Sequence, residues 1–282
     1  MYATTLTTQT GATWGLGSIS HTDPDSTSYV YDTTAGSGVT VYVVDTGIYT
    51  DHSEFGGRAK WGANFISGSV NTDENGHGTH CSGTIAGSTY GVAKEANLVA
   101  VKVLDANGTG TNSDVISGIQ WVGNNCNGDC VLSMSLAGSE STAVNSAVSS
   151  TISGGITVVV AAGNDGVDAS NTSPASVAAA ITVGAIDSSD AKASWSNFGS
   201  VVDLFAPGVN ILSAWIGSTT TTNTVSGTSM ATPYVAGLAA YIIALEGLTT
   251  PASVQSRIKT LATSGKITSA GSGSNNLIAY NG

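Results

Sequence analysis

Six short apolar runs punctuate the chain: "VTVYVVD" (39–45), "NLVAVKVL" (97–104), "VLSMSL" (131–136), "ITVVVAA" (156–162), "AAITVGA" (179–185) and "VVDLFA" (201–206). Each is nearly continuous in apolar and β-branched residues, the pattern of a strand covered on both faces. Helix-compatible stretches separate several of them. "NSDVISGIQWVGNN" begins with polar capping candidates and carries Val115, Ile119 and Val122 at helical spacing. "STAVNSAVSSTISGG" ends in a glycine pair that suits a helix terminus. Strands alternating with helices predict an α/β fold, a parallel sheet with right-handed crossovers and helices on both faces. A longer helix is expected from about Ser229 to Leu245, with Pro233 in or near its first turn, where a missing N–H costs least.

With 282 residues, 41% of them apolar, the chain can bury one large core, and a single domain over 1–282 is expected. Nineteen acidic residues face only eight Lys and Arg, a formal charge of −11. Eight scattered cations cannot neutralise a phosphate backbone or dock on an anionic membrane, so neither partner is expected. No apolar run approaches the roughly 18 residues of a membrane span. The N-terminus, "MYATTLTTQTG", has neither a basic region nor an apolar one, as expected of a mature form without signal peptide or propeptide. Cys81, Cys126 and Cys130 allow at most one bridge.

In open α/β sheets, ligands gather at the carboxyl ends of the strands. There Asp45 closes "VTVYVVD", Asn164 follows "ITVVVAAG", and Ser229 stands in "SGTSMATP", at the positive end of the expected helix. Each alone reads as a turn or cap residue. Together with a histidine from "NGHGTHCSGT" (75–84) they complete a set for nucleophilic acyl transfer: hydroxyl, imidazole, orienting carboxylate and an oxyanion donor. The order is Asp, His, Ser. An α/β-hydrolase would run Ser, Asp, His with its nucleophile in G-x-S-x-G, which "GTSMA" does not match. The two histidines are not a zinc pair, since H-E-x-x-H needs four-residue spacing and a glutamate.

"VVDTGI", "HGTHCSGTIAG", "VVVAAGND" and "SGTSMATPYVAGLAA", in this order, resemble the signature segments of the subtilisin superfamily, the subtilases. "HGTHC" and "WGLGSIS" further resemble the proteinase K group of secreted proteases, and the similarity runs from Trp14 to "NNLIAYNG". The resemblance implies the subtilisin-like three-layer fold and a secreted, monomeric serine endopeptidase acting on polypeptides. It makes Asp45, His77 and Ser229 the triad, Asn164 the oxyanion residue and His80 a supporting residue. His77 lies between Gly76 and Gly78, which leaves nothing bulky to block a serine or substrate.

"GTG" (Gly108, Thr109, Gly110) and "SLAG" (Ser135, Leu136, Ala137, Gly138) resemble the segments that sandwich a substrate backbone in this family. Leu136, Ala137, Ala161, Ala162 and Gly163 would then line an uncharged pocket preferring aromatic and aliphatic side chains before the cut. Asn112 stands where relatives often carry tyrosine. The nearness of Cys126 and Cys130 in "CNGDC" predicts a disulfide, and Cys81 resembles a buried free thiol of the group. A structural calcium is implied at Asp203, with the carbonyls of Ala178 and Ala180. A second site near Thr22, Asp23 and Asp25 lacks the C-terminal acidic partner it would need. Sequons at Asn107 and Asn171 permit glycosylation, with Asn107 awkwardly close to the substrate strand. Two rival readings stand beside the peptidase: a catalytically silent binding domain of the same fold, and an esterase using the same triad.

Overall fold

The structure, a computed structural model, describes residues 5–24 and 26–282. Its centre is a nine-stranded sheet ordered Thr263–Ser264, Leu277–Ile278, Leu204–Pro207, Ile181–Ile186, Thr157–Ala161, Cys130–Met134, Thr40–Asp45, Asn97–Lys102 and Ala59–Asn64. All neighbours pair in parallel except the terminal Thr263–Ser264. The six apolar runs each supply one of these strands, with the ends shifted by up to three residues.

Among the described residues, six α-helices surround the sheet: α1 (Trp14–Ser20), α2 (His77–Ala86), α3 (Asn112–Asn125), α4 (Thr142–Ser153), α5 (Thr228–Glu246) and α6 (Pro251–Leu261). Successive strand side chains point to opposite faces. Val41, Val43, Val131 and Val159 join the core under α2 and α5, while Tyr42, Val44, Leu132 and Val160 join the one under α3 and α4. This two-sided burial is why the strands read as continuous apolar runs.

α5 is buried nearly all round, with Val235, Leu238 and Ile242 fully enclosed. It has the length and hydropathy of a membrane span, but 83% of its apolar window is covered by the rest of the protein. Pro233 falls in the second turn of α5, just past the first. The bond it cannot make is the one to the Ser229 carbonyl, four residues back. The consequence appears at the site below.

Some elements carry weaker signals in the sequence. The edge strand "AKWGAN" is half polar, and the antiparallel pairs Leu6–Thr10 with Ser28–Asp32, which close around α1, and Ile211–Ala214 with Thr222–Val225 are short. α6 buries Val254 and Ile258 and starts at Pro251 behind a Thr250 capping box. Cys126 and Cys130 are bonded as a disulfide, and Cys81 is free and buried.

Candidate active site

Three adjacent strands, Thr157–Ala161, Cys130–Met134 and Thr40–Asp45, end on the same side of the sheet. Their ends, the start of α2 and the start of α5 enclose a cleft of about 640 Å³. His77, Asn164 and Ser229 line it, with Asp45 directly behind His77.

Asp45 is fully buried. Its Oδ1 accepts the Thr46 N–H at 2.7 Å, and its carboxylate lies 2.8 and 3.0 Å from Nδ1 of His77. That contact puts the proton on Nδ1 and leaves the Nε2 lone pair toward the cleft. Burial by itself would favour the neutral ring, but the Asp45 carboxylate and then the Cys81 sulfur outweigh it, and the His77 pKa stands well above 6.5. Burial pushes the Cys81 thiol up, which keeps it protonated, so Asp45 is the partner that matters at neutral pH.

Ser229 is the second residue of α5, so its N–H is one of the helix-start donors that no intrahelical carbonyl reaches. Its Oγ donates to the Ser135 carbonyl at 3.0 Å. Its own carbonyl, left without a helix partner by Pro233, accepts from Ser135 Oγ at 2.8 Å and from the Cys81 thiol at 3.4 Å. The otherwise unexplained cysteine after His80 thus satisfies a polar group that a proline orphaned.

Asn164 accepts on Oδ1 from the N–H and the hydroxyl of Thr228, at 2.8 and 2.9 Å. With its oxygen claimed, the carboxamide turns its NH2 away from Thr228, beside the start of α5. Gly108, Thr109, Gly110, Leu136, Ala137, Gly138 and Ala161 line the cleft as expected from the sequence, as does Asn112. Ser135 both lines it and braces Ser229. Ala162 and Gly163 do not line it: Ala162 is fully buried, and the Gly163 N–H bonds Thr228 Oγ1 at 3.2 Å. Asp165, exposed, lies on the wall of the cleft as well. The adjacency of Asp165 to Asn164 was the available signal for that.

The glycines flanking His77 serve packing more than access. A Cβ on Gly78 would sit 2.1 Å from the Gly47 carbonyl, and one on Gly76, at φ +107°, would sit 2.4 Å from the Trp215 ring. Trp215 also meets the His80 ring edge-on at 6.1 Å. His80 bonds the Ile211 carbonyl through Nε2 at 2.9 Å, and burial lowers its pKa to about 4. It stitches α2 to the neighbouring hairpin as an uncharged ring.

Asp73, Lys102 and Asp105, which sequence reasoning passed over, organise this corner together with Thr46. Asp73, almost fully buried, accepts five hydrogen bonds, from Thr46 Oγ1, the N–H groups of Asn75, Gly76 and Thr79, and Thr79 Oγ1, at 2.6 to 3.0 Å. Thr46 Oγ1 accepts in turn from the Gly78 N–H at 2.9 Å. Asp73 and Thr46 therefore tie the end of the Asp45 strand to the start of the His77 helix. Lys102 is fully buried and donates to the carbonyls of Thr46 and Leu104, both at 2.7 Å. A lysine inside "NLVAVKVL" was the visible anomaly. Asp105 folds the 105–109 turn by accepting from the N–H groups of Asn107 and Thr109, at 2.9 and 3.0 Å.

The calcium ligands expected at Asp203 are arranged differently. Asp203 Oδ2 accepts the Thr182 N–H at 2.9 Å, and Oδ1 is held by the Lys259 ammonium. Gln255 Nε2 donates to the Ala180 carbonyl at 3.2 Å and reaches Asp203 Oδ1 at 3.4 Å. A dication takes six to eight oxygens and repels an ammonium on the same carboxylate, so this donor set does not fit calcium. Ala178 is exposed. Of the second candidate set, Asp25 lies outside the described residues, and Asp23 pairs with Lys266 at 3.6 Å.

The profile of the subtilase family matches residues 36–280 of the chain. Subtilisin-like protease 2 of Pseudogymnoascus destructans is 68% identical over 281 residues, covering 99% of this chain and 70% of that protein. Alkaline protease 1 of Aspergillus clavatus is 56% identical over 286 residues, covering 100% and 70%. The cuticle-degrading protease of Metarhizium anisopliae is 52% identical over 282 residues, covering 98% and 72%. Among solved structures, a cold-adapted subtilisin-like serine proteinase superposes with a TM-score of 0.93 at 46% identity, over 96% of this chain and 99% of that one.

Proposed function

The chain belongs to the subtilase family and is a serine endopeptidase, and from that premise we propose that Ser229, His77 and Asp45 carry its chemistry with Asn164 as an oxyanion donor. The observation behind this reading is the buried Asp45 carboxylate 2.8 Å from Nδ1 of His77, in a cleft that Ser229 also lines. The Ser229 hydroxyl turns from the Ser135 carbonyl toward Nε2 of His77 and attacks the peptide carbonyl. Its proton passes to Nε2, and Asp45 stabilises the imidazolium without taking a proton. The oxyanion receives the Asn164 NH2 and the Ser229 N–H. Collapse breaks the C–N bond, His77 returns the proton to the leaving amine, and water repeats the sequence on the acyl-enzyme.

Protonated His77 cannot accept the serine proton. With its pKa raised, the neutral ring appears only at higher pH, so kcat/KM should climb with unit slope to a midpoint above 6.5 and stay high in alkali. A midpoint at or below 6.5 would mean that Asp45 does not dominate the ring.

Leu136, Ala137 and Ala161 favour aliphatic and aromatic side chains before the cut, and Asp165 extends tolerance to lysine and arginine. Secretion and a monomeric state complete the reading. The relatives named as alkaline and cuticle-degrading proteases support an extracellular setting. A panel of peptides differing only in the residue before the cut tests it, run beside casein and a short-chain p-nitrophenyl ester. Casein and apolar peptides should be cut, a serine-reactive sulfonyl fluoride should stop all turnover, and Asp165→Asn should lower kcat/KM for lysine peptides alone. Ester cleavage without casein cleavage would reassign the site to an esterase.

A further inference from the structure

Asp203 is 8% exposed and sits where the loop 199–203 enters the strand Leu204–Pro207. One carboxylate oxygen caps the Thr182 N–H at the start of the neighbouring strand. The other meets two donors from α6, Lys259 Nζ and Gln255 Nε2, and the same Gln255 amide also holds the Ala180 carbonyl. Gln255 and Lys259 stand four residues apart, so one face of α6 presents both donors to one corner of the sheet.

We propose that Lys259 is a built-in cation: its ammonium, with the Gln255 amide beside it, occupies the place at Asp203 that a calcium ion would need, and α6 is thereby fastened to the sheet without a divalent ion. The chemistry is one of exclusion as well as attachment. A bound Ca2+ would have to expel the ammonium from the Asp203 carboxylate and the Gln255 amide from the Ala180 carbonyl. It would then find a single carboxylate, with its remaining oxygens to come from backbone carbonyls and water. The lysine is delivered by a helix and needs no ion from solution, so the fastening survives chelation.

The test is thermal unfolding of the full chain, with the active serine blocked by a sulfonyl fluoride so that autolysis does not intrude. Wild type, Lys259→Met, Lys259→Arg and Asp203→Asn are each melted in EDTA and in millimolar calcium. The Tm change caused by calcium should be the same in wild type and in Asp203→Asn, whatever its size, because any responding ion sits elsewhere. Lys259→Met should lower the Tm in EDTA by about 3–8 °C, the range for a partly exposed pair in a chain of this size, and Lys259→Arg should recover most of it. A calcium response in wild type that Asp203→Asn abolishes would overturn the proposal. So would a Lys259→Met protein melting with wild type in EDTA. Should Lys259→Met fail to fold, the comparison of wild type with Asp203→Asn still decides.

Discussion

Replacing Ser229 with alanine should lower kcat by about 10⁶ while leaving KM for peptide substrates within a few fold. The figure is the one known for subtilisin itself, carried over here because the same residue types are in play. Only the Oγ is removed, and that atom's bond in the resting site is to the Ser135 carbonyl at the cleft surface. The backbone anchors of Ser229, from Ser135 Oγ and the Cys81 thiol, go to its carbonyl and survive the change. Binding and fold should therefore persist, and the loss should appear in the chemical step. The measurement is kcat and KM on a peptide substrate together with a melting curve. Retention of more than a few per cent of peptidase activity by a folded Ser229→Ala protein would place the nucleophile elsewhere.

The second large effect is expected at Asn164. Asn164→Ala should cost roughly 10²–10³ in kcat, about 2.7–4 kcal/mol of transition-state stabilisation, again a magnitude known from subtilisin. The structure adds a reason for specificity. Thr228 holds the carboxamide by its oxygen, with donors at 2.8 and 2.9 Å, so the NH2 group is oriented before substrate arrives. Asn164→Asp keeps the shape and the bonds from Thr228 but replaces the NH2 donor by an oxygen, and it should be as damaging as alanine. A rise in KM with unchanged kcat for Asn164→Ala would make Asn164 a ground-state binding residue. The Thr228→Val protein separates orientation from donation: it loses one of the two anchors and should show a smaller fall in kcat.

The reacting groups were legible because each sits where a strong local pattern breaks. Asp45 ends an apolar strand, Asn164 follows one, and Ser229 opens a helix that is apolar on every side. The sheet was legible for a related reason: Val41 and Val43 pack one core while Tyr42 and Val44 pack the other, so burial leaves an uninterrupted apolar trace. What escaped depends on distance in sequence. Asp73 becomes a hub only because the 73–79 turn folds over Thr46, and nothing in "TDENG" announces five donors. Lys259 lies on an amphipathic helix far beyond Asp203 in the chain, and resemblance supplied calcium where this chain places an ammonium. The glycines around His77 were read as open space, whereas Gly76 and Gly78 make room for Trp215 and the Gly47 carbonyl.

Helix ends ordinarily fray, opening and closing many times before a domain unfolds. The first turns of α5 are denied that freedom by Pro233. The hydrogen bond it withholds from the Ser229 carbonyl is replaced by bonds from Ser135, beyond one sheet strand, and from Cys81, inside another helix. Thr228, one residue earlier, is fixed to Asn164 beyond a second strand. Loosening the nucleophile therefore means detaching the sheet from two helices at once. On heating, catalytic power and tertiary structure should therefore disappear at one temperature, with no folded but inactive stage between them; activity and a tertiary-structure signal followed on the same melt check this.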